Sequence, residues 1–86
     1  MKVYILDRTL DFGFGDETSL KPLIFKDLKK ALQYMEELID EEYKESKKAV
    51  EEGEDVFIFR HSDILREIRK PGCRVWFSIE EHEVIE

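Results

Sequence analysis

The chain reads as a single α+β domain spanning residues 1–86: a mainly antiparallel sheet of four to five strands with one long amphipathic helix packed on one face, in the order β-β-α-β-β-β. Three observations predict it. Apolar residues three or four apart run through Lys26 to Glu52. Short β-branched and aromatic runs flank that stretch on both sides. Pro71-Gly72 sits between two alternating segments and fills the central positions of a type II turn.

The first element, Lys2 to Thr9 (KVYILDRT), is apolar on both faces over its first residues, which suits a strand central in its sheet. Asp11 to Thr18 (DFGFGDET) carries two glycines and three acids without periodicity, so it reads as a loop. Leu20 to Phe25 (LKPLIF) reads as a second strand. Pro22 has no N–H to donate, so this strand should lie at an edge or begin at that residue.

The helix follows. Its stripe is Leu28, Ala31, Leu32, Met35, Leu38, Ile39, Tyr43 and Val50, with Glu36, Glu37, Asp40, Glu41, Glu45, Glu51 and Glu52 opposite. Asp27 suits the positive end of the helix dipole, and Gly53 can take the left-handed cap. A helix of about 26 residues is roughly 39 Å long. Strands of six or seven residues span only about 20–24 Å, so the helix should overshoot the sheet or bend.

Asp55 to His61 (DVFIFRH) reads as a third strand. Ser62 to Lys70 fits either a short helix or an alternating strand; the turn at Pro71-Gly72 and the strand Cys73 to Ile79 (CRVWFSI) after it favour a hairpin. Glu80 to Glu86 continues the strand or frays. The core expected from these patterns is Val3, Ile5, Phe25, Leu28, Leu32, Met35, Ile39, Phe57 and Val75.

Charge and composition narrow the function. The net charge is −7, and Glu36 to Asp55 alone holds ten acids against three lysines, so the rest of the chain is neutral. Nucleic acid is a poor direct partner for such a surface; a basic protein surface is a better one. No apolar run approaches the roughly 18 residues of a membrane span, and the charged N-terminus is not that of a signal peptide. Cys73 is the single cysteine, so no internal disulfide forms, which suits a reducing, cytoplasmic location.

No motif supplies chemistry. Asp11-Phe12-Gly13 resembles a kinase metal-binding triplet only in letters, because the loops that give the triplet its role have no room here. His61, Cys73 and His82 lack metal-ligand spacing. The pairs Asp16-Glu17 and Glu80-Glu81 do not converge as an acid and a base must. The expectation is therefore a protein that is not an enzyme and takes no cofactor or metal. Arg60, Arg66, Arg69, Lys70 and Arg74 form a basic cluster whose expected partner is the acidic helix, within one molecule or between two.

The run KVYILDRT, a polar loop, PLIF before the helix, DLKKALQYMEEL and the closing FSIEEHEV resemble a group of small uncharacterised α+β domains from bacteria and their phages. The matching residues are Val3, Tyr4, Phe25, Ala31 and Ile79; Lys26 departs from the small polar residue usual in that group. The resemblance implies the fold and no activity.

The function these readings favour is a small acidic interaction module, in its sharpest form a phage or mobile-element inhibitor that docks on the nucleic-acid-binding surface of a host protein. The residues expected to carry it are Glu37, Asp40, Glu41 and Glu45, with Phe12 and Phe14 as apolar anchors. The alternative is a homodimeric structural domain.

Overall fold

The computed structural model describes residues 1–13 and 17–85. Its elements are β1 (Lys2–Asp11), β2 (Glu17–Ser19), β3 (Leu23–Phe25), α1 (Leu28–Glu51), β4 (Phe57–Ser62), β5 (Leu65–Lys70) and β6 (Cys73–Glu83). The α+β class holds, with every strand pairing antiparallel. The sheet has six strands in the order β2-β1-β6-β5-β4, with β3 also on β1. The expected count of four to five falls short because β2 lies at the end of the stretch read as loop.

β1 is central, as its two apolar faces require. It pairs along its whole length with β6, from Lys2 opposite Glu83 to Asp11 opposite Arg74. Its other edge is shared: β3 covers Tyr4 to Leu6 and β2 covers Thr9 to Asp11. Pro22 ends up just before β3, where its missing N–H breaks no ladder bond. Ser62 to Lys70 resolves as the strand reading, because β5 forms a hairpin with β6 across Pro71-Gly72. Gly72 has φ +75°, the left-handed value that the third position of a type II turn demands.

The helix is bounded by chemistry at both ends. Asp27 is its N-cap rather than a first-turn residue, with the Lys29 N–H donating to its Oδ1 at 2.9 Å. At the C-terminus the Gly53 N–H donates to the Val50 carbonyl and the Glu54 N–H to the Ala49 carbonyl, at 3.0 and 2.9 Å. These are the two bonds of a Schellman cap, and Gly53 at φ +90° closes it. The helix of 24 residues is about 36 Å long. β1 and β6, at 10 and 11 residues, are longer than the sequence suggested and reach about 34–37 Å. The expected length mismatch therefore largely disappears.

The core is Leu6, Ala31, Met35, Ile39, Ile68, Val75, Phe77 and Ile79. Met35, Ile39 and Val75 are buried as expected, and Phe25, Leu28 and Leu32 pack against them half-buried. Three expected members are not in it. Val3 and Ile5 alternate with Tyr4 and Leu6, so they lie on the sheet face away from the helix. Phe57 is 52% exposed, because it pairs with Arg69 and so lies, like Glu67, on the sheet face away from α1.

The helix stripe also turns. Beyond Ile39 the buried positions are Glu42 and Ser46, while Tyr43 and Val50 are exposed. A straight helix drifts relative to any fixed apolar spacing, and at 3.6 residues per turn positions 35, 39, 42 and 46 share a face. The buried polar pair is satisfied. Ser46 Oγ donates to the Glu42 carbonyl at 2.9 Å, and Lys70 Nζ reaches Glu42 Oε1 at 2.5 Å. No described helix is long and apolar enough to cross a membrane.

Candidate interaction surface

The acids of α1 between Glu36 and Glu45 divide into two sets. Glu36 and Glu42 are neutralised by β5. Arg66 Nη1 lies 2.6 Å from Glu36 Oε1, and Arg66 is buried, its Nε donating to the Ser62 carbonyl at 3.2 Å. Lys70 takes Glu42. Both cations come from alternate positions of a strand whose even-numbered side chains, with Ile68 between them, face the helix. Of the basic cluster, Arg66 and Lys70 pair with the acidic helix within one molecule, whereas Arg60 pairs with Asp63 and Arg69 with Glu67.

The second set is Glu37, Asp40, Glu41 and Glu45. All four are exposed, and among the described residues none makes an ion pair. Glu41 and Glu45 line a groove of about 340 Å³ together with the Glu42–Lys70 pair, Arg8, Leu10, Phe12, Leu20 and Cys73. Glu37 and Asp40 do not line it. Spacing explains the division: at 100° per residue, 41 and 45 fall on the flank of the helix toward β1, and 37 and 40 on the outer face.

Phe12 follows the last residue of β1 and remains 50% exposed. Its chain is held by a local turn, the Gly13 N–H donating to Asp11 Oδ1 at 2.9 Å. Phe12 also borders a second hollow of about 490 Å³, lined by Arg69, Lys70, Gly72 and Arg74 of the β5–β6 hairpin. Phe14, the other expected anchor, lies outside the described residues, as does Asp16. The structure therefore brings Phe12 together with Glu41 and Glu45 and leaves Glu37 and Asp40 on an adjoining surface.

Cys73 also lines the groove. Burial pushes its thiol above the ordinary value, with Lys70 opposing and Glu42 and Asp11 reinforcing the rise. The thiol form, which is not the nucleophilic one, predominates at neutral pH. Among the described residues no group of three or more His, Cys, Asp and Glu is placed to hold a metal ion.

A cluster on the opposite sheet face is absent from the sequence expectations. Glu67 is 1% exposed, and its carboxylate meets His61 Nε2 at 3.0 Å through Oε1 and Arg69 Nε at 3.2 Å through Oε2. Phe59, His61 and Trp76 stack in a row over it, with centroids 6.2 and 5.4 Å apart, and the Arg69 guanidinium lies 4.8 Å from the Phe59 centroid. The signal was available. Alternation puts Phe57, Phe59 and His61 on one face, and a two-residue turn at Pro71-Gly72 sets Glu67 opposite Trp76.

The chain matches no family model, no curated protein and no solved structure.

Proposed function

We propose that this chain is a small acidic, non-enzymatic protein-interaction module that docks on a basic protein surface. One observation carries the reading: Phe12 and the unpaired carboxylates Glu41 and Glu45, singled out independently in the sequence, share one groove. An exposed aromatic ring beside free carboxylates suits a partner segment that offers a basic side chain next to an apolar one. Glu37 and Asp40 extend the same charge over the outer face of the helix. A patch of like charge steers encounter even though each exposed pair contributes little alone.

The sharpest form of the proposal is an inhibitor from a phage or other mobile element, acting in the cytoplasm on a host protein that binds nucleic acid. Its support is spacing. Carboxylates at i and i+4 of a helix lie about 5–6 Å apart, comparable with neighbouring phosphates of one strand.

The test begins with affinity capture from host lysate and then measures binding of the captured partner directly. Reversing Glu37, Glu41 and Glu45 to Lys should abolish binding with the far-UV circular dichroism unchanged. The Gln triple variant should bind more weakly and melt slightly higher, because the three acids repel one another along the helix. Added salt should weaken the native complex, since exposed charges are screened beyond about 8–10 Å. Unchanged affinity and salt response in the Gln variant would reduce the acidic face to a solvated surface.

A further inference from the structure

The outer strand β4 is lightly protected for a sheet edge, its one strong charge, Arg60, being paired with Asp63 of the following turn. It pairs with β5 alone, and its one ring stacked beyond β5 among the described residues is His61 on Trp76 of β6. Phe57 and Ile58, side by side in sequence and so on opposite faces, are 52% and 50% exposed. The strand contains neither Pro nor Lys, and its one irregularity, between Arg60 and Ser62, is at the far end. A strand of this composition with a free ladder edge is a template for another strand.

The direction of the free backbone groups follows from the register. The Ile79 N–H donates to the Ile64 carbonyl at 2.9 Å, and Leu65 lies opposite Ser78. Hydrogen-bonded and non-bonded pairs alternate along an antiparallel ladder, so Arg66 and Ile68 bond to β6 and Glu67 and Arg69 bond to β4. Their partners on β4 are Phe59 and Phe57. The N–H and C=O groups of Ile58 and Arg60, and of Val56 just before the strand, therefore point away from the sheet.

We infer that β4 pairs with β4 of a second copy of this chain, antiparallel about a twofold axis at Ile58, so that two sheets become one. This register uses all three outward residues: Ile58 bonds its own copy, and Val56 bonds the partner's Arg60. On the open face Phe57 meets the partner's Phe59, an aromatic cross-strand pair of the stabilising kind. At each end the Asp55 carboxylate lies opposite the imidazole of the partner's His61. Moving the axis to Phe59 would carry the pairing past Ser62, where β4 ends and the chain turns. Moving it to Phe57 would require Gly53 to extend, and Gly53 is held at φ +90° in the helix cap. The second copy is thus the occupant that the charges and the ladder select.

Sedimentation equilibrium of the full chain should show a species of twice the 10.3 kDa chain mass that dissociates on dilution. Ile58→Lys sets two ammonium groups face to face on the axis and should give a monomer with unchanged circular dichroism. In a Cys73→Ser background, Ile58→Cys should form a covalent dimer under mild oxidation. The Cα separation of a hydrogen-bonded pair, about 5.5 Å, lies within disulfide range. Phe57→Cys should not cross-link to its own copy, because two residues of offset along the strand separate the thiols. A chain that stays monomeric at every concentration, a dimer that survives Ile58→Lys, or cross-linking at Phe57→Cys in place of Ile58→Cys would overturn the inference.

Discussion

Replacing Lys70 by Met tests whether α1 is fastened to β5 by charge as well as by its apolar stripe. Lys70 Nζ lies 2.5 Å from Glu42 Oε1, and the two side chains are 24% and 10% exposed. Removing one member of a fully buried pair costs about 3–5 kcal/mol, because the other charge is left without compensation. Exposed pairs are worth only about 0.2–1 kcal/mol. This pair lies between those limits, so a loss of about 2 kcal/mol is expected from Lys70→Met. For a domain of this size that corresponds to a fall of about 8–16 °C in Tm. Glu42→Gln strands Lys70 less severely, since the long stem can carry the ammonium to water. The double variant should be more stable than the sum of the two losses implies. Urea melts of the four proteins give the coupling directly. A coupling below about 0.5 kcal/mol would place the pair with ordinary surface contacts and leave the burial of Glu42 without its explanation.

Met35 is fully buried at the centre of the helix stripe, so Met35→Ala should cost about 2–5 kcal/mol in urea melts, and Leu32→Ala, at a half-buried position, clearly less. Asp63 is held below its ordinary value of 3.8 by the hydrogen bond and charge of Arg60. The folded chain therefore favours its carboxylate. That contribution is complete above the unfolded value and is lost as pH falls through the lowered one. The Asp63 carboxyl carbon resonance should titrate below 3.8 in the native protein and return toward the ordinary value in Arg60→Ala.

Element type was legible wherever a local rule dominated. Asp27, Gly53, Pro22 and Pro71-Gly72 each constrain the backbone through their own chemistry, and each stands where that chemistry is used. Faces were harder. Val3-Tyr4-Ile5-Leu6 is apolar at every position, so alternation alone does not say which half meets the helix; only β6, delivering Val75, Phe77 and Ile79 to the face of Leu6, decides it. Phe57 has the composition of a core residue, but its pairing with Arg69 turns it to the face away from α1, and strand register is not a local property. Glu42 went unnoticed for the opposite reason. A carboxylate is read as solvated until a lysine 28 residues later is known to lie beside it. Within the acidic face, the groove formed by Phe12, Glu41 and Glu45 depends on how α1 lies over the end of β1, which no spacing in the sequence encodes.

The two sides of the sheet differ in how far they allow growth. On one side β2 and β3, three residues each, lie end to end along β1, with Lys21 and Pro22 between them. Neither offers a run long enough to recruit a strand, and proline interrupts any attempt to use both. On the other side β4 is a single six-residue strand. A building block with two competent sides adds units without limit and yields fibres. A block with one competent side is used up when it meets its mirror in function, and assembly ends there. If β4 pairs with a second copy as inferred, the divided edge along β1 leaves the joined sheet no further six-residue edge strand among the described residues, and growth ends at two copies.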